Sequence, residues 1–399
     1  MILTHVLKEK CPNCGNEGKY GNVNISSDTL NRGCSVCGQW NNIPLPPLKK
    51  DILYLDQLFL SHAFRNNKRP FVEAVQRIKQ LASKQILVCP YSRFHTEETQ
   101  LWSHDERNKL FEFIKQTARG HEFSPDYSIK KNQLVSSFSA FLQSNNEYFL
   151  TKDSDAFDEN IHSWDDYYRV DIQPYLGDVE EIRRGKYEAV SALVDIFDGW
   201  RSNEATFEED QRSEAVGYAK SLLNQYVDGL SKLATSRVQE YFNLSIESQF
   251  IRTLLYFDED KLSYEDRIKR IKVFLVSDYF VNTPYIDISC QLFAVLRKLV
   301  RNGAYTNKEK AKEKLAGLYY DVDFISTYGP YCDAMFVDRV MMTWLLDRDA
   351  KISNRYSFSV FSAERWDEFH QYLNNFDEKI SEEVDLFLKF AYPNQSRKV

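Results

Sequence analysis

The spacing of apolar and polar residues changes along the chain, and each change marks a different predicted element. Residues 51–56 form a short apolar run that ends in an acid, and residues 85–90 form a second run that ends at a proline. Both runs are typical of buried strands. Residues 70–81 and 96–117 carry apolar side chains at helical spacing. Strand, helix, strand and helix in this order predict a parallel sheet with right-handed crossovers.

A long middle section separates this pattern from its continuation. Residues 131–315 contain helical runs and no comparable strand pattern, which predicts a helical insertion. Strand-like runs return at 334–337 and 356–361, and an amphipathic helix follows at 364–376. The predicted fold class is therefore α/β, with a parallel-sheet core interrupted by a large helical insertion. The two predicted parts of the core are 51–130 and, with the C-terminal helices, 316–399.

The first forty residues contain two copies of one short motif, a Cys-x-x-Cys pair followed by glycine. The pairs are Cys11 with Cys14 and Cys34 with Cys37, and nineteen residues lie between them. Each pair directs two thiolates at one ion, and this spacing is typical of a structural Zn²⁺ site on a small ribbon with a hairpin. Because about forty residues cannot build a sufficient hydrophobic core, the metal would supply folding free energy. We therefore predict a zinc ribbon over residues 1–45.

Composition excludes several classes of protein. No apolar run approaches the ~18 residues that a membrane helix needs, and no signal-peptide pattern is present, so we expect a cytoplasmic protein with no membrane partner. The cysteines outside the ribbon, including Cys332, are expected to be buried thiols. A formal net charge of −7 argues against coating of nucleic acid by bulk electrostatics. Residues 1–50 nevertheless carry six basic against three acidic side chains, which permits a nucleic-acid-facing end.

Acidic residues lie beside the predicted strands. Asp56 ends the first strand, Glu98 lies on the helix after the second, and Asp333 and Asp338 flank the run at 334–337. Ligands collect beyond the carboxyl ends of parallel strands, and converging carboxylates there would repel one another unless a hard cation such as Mg²⁺ or Mn²⁺ neutralised them. Such a site suits cleavage of phosphodiester bonds. The alternative for each acid is a helix cap or a solvated side chain.

These residues resemble the acidic motifs of PIN-like nucleases. The resemblance covers about residues 51–120 and 318–375, and its motifs are Leu53-Tyr-Leu-Asp56, Pro90-Tyr-Ser92 with His95 and Glu98-Thr99, and Pro330-Tyr-Cys-Asp333-Ala-Met-Phe-Val-Asp338. It implies a parallel α/β sandwich and Mg²⁺- or Mn²⁺-dependent cleavage of RNA, sometimes of structured DNA, in toxin systems, RNA processing or defence. It also implies that the metal-binding acids are, in order, Asp56, Glu98, Asp333 and Asp338.

Several alternatives remain open from the sequence. Glu97 is adjacent to Glu98 and could be the second acid, and Asp321 and Asp323 could extend the cluster. His95 is either a phosphate-contacting or supporting group, or simply a packed side chain. A non-enzymatic adaptor would instead use the ribbon and the helical insertion to bind a protein or nucleic acid around a degenerate core. The insertion could also hold a protein partner or an inhibitor of a toxic activity.

Overall fold

The structure is a computed structural model, and it describes residues 4–26, 28–145, 151–164, 179–242, 244, 246–257 and 262–393. The described residues form a small antiparallel sheet, a parallel sheet between helices, and a large group of central helices. The helices are α1 (Gln57–Phe64), α2 (Arg69–Ser83), α3 (Arg93–Gln100), α4 (His104–Ala118), α5 (Asp126–Gln143), α6 (Val179–Asp195), α7 (Phe197–Arg201), α8 (Phe207–Ala234), α9 (Val238–Phe242), α10 (Phe250–Leu255), α11 (Tyr264–Leu275), α12 (Asp278–Val281), α13 (Pro284–Arg301), α14 (Lys308–Lys314), α15 (Leu318–Tyr328), α16 (Arg339–Leu345), α17 (Ile352–Arg355), α18 (Trp366–Asn374) and α19 (Glu382–Ala391).

The N-terminal sheet is antiparallel and contains the predicted hairpin between the two cysteine pairs. Its strands, in spatial and chain order, are β1 (Val6–Glu9), β2 (Tyr20–Ser26), β3 (Thr29–Cys34) and β4 (Trp40–Pro44). Ile25 pairs with Leu30 across the hairpin, and both side chains are buried. They pack with Trp164 and with Ala391 and Tyr392 at the end of α19, so the ribbon gains the core that its own length cannot supply.

The second sheet is parallel, as the strand and helix pattern predicts. Its strands are β5 (Asp51–Leu55), β6 (Leu87–Val88), β7 (Ala334–Phe336) and β8 (Ser359–Phe361), in the spatial order β6-β5-β7-β8. Leu53 of β5 pairs with Ala334 of β7, so strands from the two ends of the core are neighbours at the centre of the sheet. The chain therefore returns from the central helices to complete the sheet that it began.

Both faces of this sheet are covered by helices. Leu53 and Phe336 point to one face, where α1, α2, α4 and α18 pack, whereas Tyr54 and Met335 point to the other, against α13, α15 and α16. Successive side chains of a strand alternate between its faces, and apolar residues at every position are typical of a sheet buried on both sides. Helices α8 and α10 to α13 share a further core with α5, around Phe138, Leu222 and Phe274.

Some predicted elements have different bounds in the structure. The single helix predicted over 96–117 is wrong: α3 ends at Gln100, and α4 begins after Ser103. The amide of Leu101 donates to the carbonyl oxygen of Glu98, a short-range turn that stops the α-helical pattern. In the run at 356–361, Tyr356 caps the end of α17, so the strand is shorter than predicted and spans only Ser359–Phe361. None of the described helices combines the length and apolar content that a bilayer crossing requires.

Candidate functional site

The four cysteines of the ribbon converge, as their spacing predicts. The sulfurs of Cys11 and Cys37 are 3.6 Å apart, those of Cys14 and Cys34 are 3.7 Å apart, and all four lie within 4.8 Å of one another. Zn–S bonds of ~2.3 Å in a tetrahedron place sulfurs ~3.8 Å apart, so this group could hold a metal ion such as zinc.

Both cysteine turns have the same backbone geometry. Gly15 and Gly38 adopt positive φ angles of 72° and 69°, which favour glycine, and their amides donate to the carbonyl oxygens of Cys11 and Cys34. The side-chain amide of Asn16 donates to the sulfur of Cys14 and lowers the pKa of that thiol to about 6. Cys14 is therefore largely a thiolate at neutral pH, which is the form that binds metal.

A second group of titratable residues lies at the carboxyl edge of the parallel sheet. A cleft of about 580 Å³ opens there, and its walls come from α1, from α3 with the turn that follows it, and from α15. Asp56, Glu98 and Asp321 line this acidic cleft. Asp338 is not part of the wall but lies near enough for its charge to raise the pKa values of Asp56 and Asp321.

Asp56 is an acid of the cleft whose pKa is strongly raised. It follows β5 directly and occupies the N-cap position of α1, yet its side chain makes no capping hydrogen bond. Burial is the main cause that raises its pKa, to about 8, and the negative charges of Glu98 and Asp338 add to the shift. One pKa unit corresponds to about 1.4 kcal/mol, so ionising Asp56 in the free cleft costs several kcal/mol, even allowing for screening by solvent at its mouth.

The structure separates Glu98 from its neighbour Glu97. Glu98 faces the cleft, where burial raises its pKa and the ammonium of Lys186 opposes that rise. Glu97 instead forms an ion pair with Arg93 on the same helix. Of the two registers that the sequence left open, the geometry therefore favours Glu98 as the acid of the cleft.

The two acids beside β7 do not lie together, and the predicted role of Asp333 is corrected. A three-residue strand separates them, so Asp338 emerges at the carboxyl edge and Asp333 at the opposite edge. There Asp333 accepts a hydrogen bond from the backbone amide of Ile52, at 2.8 Å, and so helps to close the start of the sheet. Asp338 caps α16 by accepting from the amide of Met341, at 2.7 Å.

The fourth acid of the cleft is Asp321, which the sequence offered only as an extension of the cluster. Burial and the charges of Asp56, Asp338 and Glu98 raise its pKa well above the usual value. A sequence signal for it exists: Asp321 falls on the apolar stripe of α15, between Leu318 and Ile325. An acid at such a position is costly unless it serves a site, because the stripe faces the core.

Within the described residues, only the four cysteines bring three or more candidate ligand atoms within 4.8 Å of one another. The carboxylates of the cleft are therefore spaced more widely than the thiols. Hard carboxylate oxygens suit Mg²⁺ or Mn²⁺, and Mg²⁺ commonly takes one or two carboxylates while keeping several waters. The carboxylate oxygens of these acids are donor atoms of the type that such a cation binds.

His95 joins the two elements that carry Asp56 and Glu98. Its Nε2–H donates to the carbonyl oxygen of Leu55, at 2.7 Å, because a carbonyl can only accept; Nδ1 accepts from the amide of Ser92, at 3.0 Å. The ring is therefore neutral, and burial lowers its pKa to about 4. His95 thus fixes the end of β5 just before Asp56 and the first turn of α3 before Glu98, and it is a supporting residue rather than a ligand.

The mouth of the cleft carries a cation and an aromatic ring. The guanidinium of Arg65 lies over the ring of Trp102, 4.1 Å from its centroid, and both residues line the cleft. Elsewhere, Cys332 is a buried thiol, as expected, and it donates to the carbonyl oxygen of Tyr328.

The neutral His95 predicts a dependence of stability on pH. An unfolded histidine takes up a proton below its usual pKa of 6.5, whereas the folded one does so only near 4. Stability is therefore lost as pH falls from about 6.5 to about 4, by ~3 kcal/mol from this group.

Urea unfolding of the wild type and His95→Gln at pH 7.0, 5.5 and 4.5 tests this effect. The variant should be less stable at pH 7.0, and its deficit should shrink as pH falls, because other titrating groups are common to both proteins. A deficit that stays constant with pH would contradict the assignment of the neutral ring.

No protein-family model matches this chain, and no curated protein and no solved structure matches it either. Its function therefore has to be inferred from the residues and the geometry of the cleft and the ribbon.

Proposed function

We propose that this protein is a metal-dependent endonuclease that cleaves RNA, with Asp56, Glu98, Asp321 and Asp338 as its cation-binding acids. The observation that carries the proposal is the cleft at the carboxyl edge of the parallel sheet, which Asp56, Glu98 and Asp321 line and in which burial raises the pKa of Asp56 to about 8. Strongly perturbed acids in a cleft are typical of functional sites.

The energetic cost of this cluster supports a bound cation. Four carboxylates face one described ammonium group, that of Lys186, which pairs with Glu98. Burial and the nearby acids hold the Asp56 carboxyl mostly protonated at neutral pH, which costs folding free energy, and a bound cation would instead stabilise its ionised form. The chemistry that a divalent cation supplies there, when bound, is activation of water and stabilisation of the leaving oxygen.

The rest of the cleft suits a nucleic-acid strand. The guanidinium of Arg65 can contact phosphate, and the ring of Trp102 offers a surface for base stacking. His95 holds the backbone of Asp56 and the start of α3, which keeps the acids in position. Single-stranded RNA is the substrate that we expect, because a base has to be unstacked from its neighbours to reach the ring of Trp102.

We also propose that Cys11, Cys14, Cys34 and Cys37 bind a structural Zn²⁺ ion. The sulfur separations match tetrahedral ligation, and no fifth group is needed to complete it. The ribbon then presents a fixed surface to α19, where the side-chain amide of Asn22 donates to the carbonyl oxygen of Phe390, at 2.8 Å.

Substitution of the acids tests the nuclease proposal. Asp56→Asn and Asp321→Asn should each lower Mn²⁺-dependent cleavage of labelled single-stranded RNA by about 100-fold or more, the scale of losing a group that stabilises transition-state charge. Asp56→Asn should also raise the melting temperature of the metal-free protein at neutral pH, because folding no longer has to protonate a buried carboxylate. The same substitution should abolish the melting-temperature rise that Mn²⁺ causes in the wild type.

Asp333→Asn is the matched control for this experiment. It removes an acid from the other end of β7, and an asparagine oxygen can still accept the hydrogen bond from Ile52. Cleavage should stay near the wild-type rate. If Asp333→Asn abolished cleavage while Asp321→Asn cleaved at the wild-type rate, the assignment of Asp321 as the fourth acid would be contradicted. No cleavage of RNA or DNA by the wild type, with no response to Mn²⁺, would favour a non-enzymatic adaptor.

Arg65→Ala tests the contact with nucleic acid. Loss of one phosphate contact should raise the KM for RNA about 10-fold, equivalent to ~1.4 kcal/mol, and flatten the dependence of binding on salt. The affinity for Mn²⁺ should not change. Arg69→Ala is the control, because Arg69 pairs with Glu73 on the solvent side of α2. Equal effects of the two substitutions on KM would contradict a specific role for Arg65.

Metal analysis tests the ribbon. The purified protein should contain one Zn²⁺ per chain, and Cys14→Ser with Cys37→Ser should lose it and lower the melting temperature, because metal binding supplies folding free energy. Cys89→Ala, which changes a buried thiol of the α/β core, should keep the zinc. A protein that is free of zinc after purification without chelators, and does not take it up, would contradict this proposal.

A further inference from the structure

Lys186 brings a positive charge from the central helices into the acidic cleft. It lies on α6, and its ammonium is 3.6 Å from a carboxylate oxygen of Glu98. The same ammonium lies over the ring of Tyr320, 3.4 Å from the centroid. Only 18% of the Lys186 side chain is exposed, so this contact is not a solvated surface pair.

The backbone around Lys186 is fixed by packing. One helical turn further along α6, Val190 is buried in the same core as Phe324 and Ile325 of α15. The neighbour Tyr187 points outward and is 62% exposed. The ammonium is therefore aimed into the cleft by an anchored helix, and it is not a long side chain that happens to reach an acid.

The charge of Lys186 acts on two of the four acids. It lowers the pKa of Glu98, against the effect of burial, and to a smaller degree that of Asp321. The pKa of Asp56 is instead raised, mainly by burial and then by the charges of Glu98 and Asp338. A single ammonium therefore partly neutralises the cluster, and it contacts Glu98, one of the acids assigned to the cation.

We propose that Lys186 is a tethered counter-cation that competes with the divalent cation for Glu98 and stays over the ring of Tyr320 when the metal ion binds. This inference rests on the proposed function. The inference gives α6 a role in the site. Lys186 on this helix stabilises the metal-free cleft and sets how tightly the cation is held. The cation–π contact with Tyr320 gives the displaced ammonium a place to remain within the cleft.

Lys186→Gln separates this role from a merely structural one, because two measurements should move in opposite directions. Without metal, the melting temperature of the variant should fall, since the carboxylates lose their counter-charge. The affinity for Mn²⁺, measured by calorimetry on the full chain, should rise about 10-fold, a usual size for coupling between two binding events. A structural defect would lower both.

Two further variants complete the test. Lys186→Arg keeps the positive charge and should behave like the wild type in both measurements. Arg184→Gln, at an exposed position on the same helix, should change neither. If the wild type binds Mn²⁺ and Lys186→Gln binds it equally or more weakly, the counter-cation role is overturned and the nuclease proposal survives. If the wild type binds no Mn²⁺ and cleaves no RNA, the proposed function itself fails, and this inference fails with it.

Discussion

Repulsion between carboxylates at one edge of the parallel sheet is the constraint on which the rest of the site depends. Because β5 and β7 are parallel neighbours, the acids that follow them, Asp56 and Asp338, emerge at the same edge. Helices α3 and α15 add Glu98 and Asp321. Such a group is stable only if its surroundings reduce this repulsion. The amide of Met341 at the start of α16, which donates to Asp338, and the ammonium of Lys186 do so in part.

The central helices and the N-terminal ribbon pack against different parts of the α/β core. The central helices reach the carboxyl edge, where α6 supplies the only ammonium that pairs with a cleft acid in the described residues. The ribbon packs instead against α19, and Arg32 lies over the ring of Phe390, 4.9 Å from its centroid. A small unit with four converging thiols thus shares its core with the C-terminal helix, because so short a unit has too little apolar surface to be stable alone.

The sequence predicted those features that depend on neighbouring residues. The cysteine spacing predicted the converging thiols, and the apolar runs predicted β5 and the parallel sheet. The prediction failed where one local choice competes with another. Residues 101–103 have no proline or glycine, so helical spacing continues through them, yet the chain turns there between α3 and α4. That turn brings Trp102 to the mouth of the cleft.

The sequence by itself thus determined the ribbon, the class of fold and three of the four acids at the carboxyl edge. Only the tertiary structure decided that Asp333 lies at the other end of β7, that Asp321 lines the cleft, and that Lys186 contacts Glu98. The physical reason is the distance along the chain between the residues that determine each feature. Spacing within a strand or a turn is fixed by local backbone geometry, whereas the meeting of α3, α6 and α15 depends on how distant apolar faces pack, which no short stretch of sequence encodes.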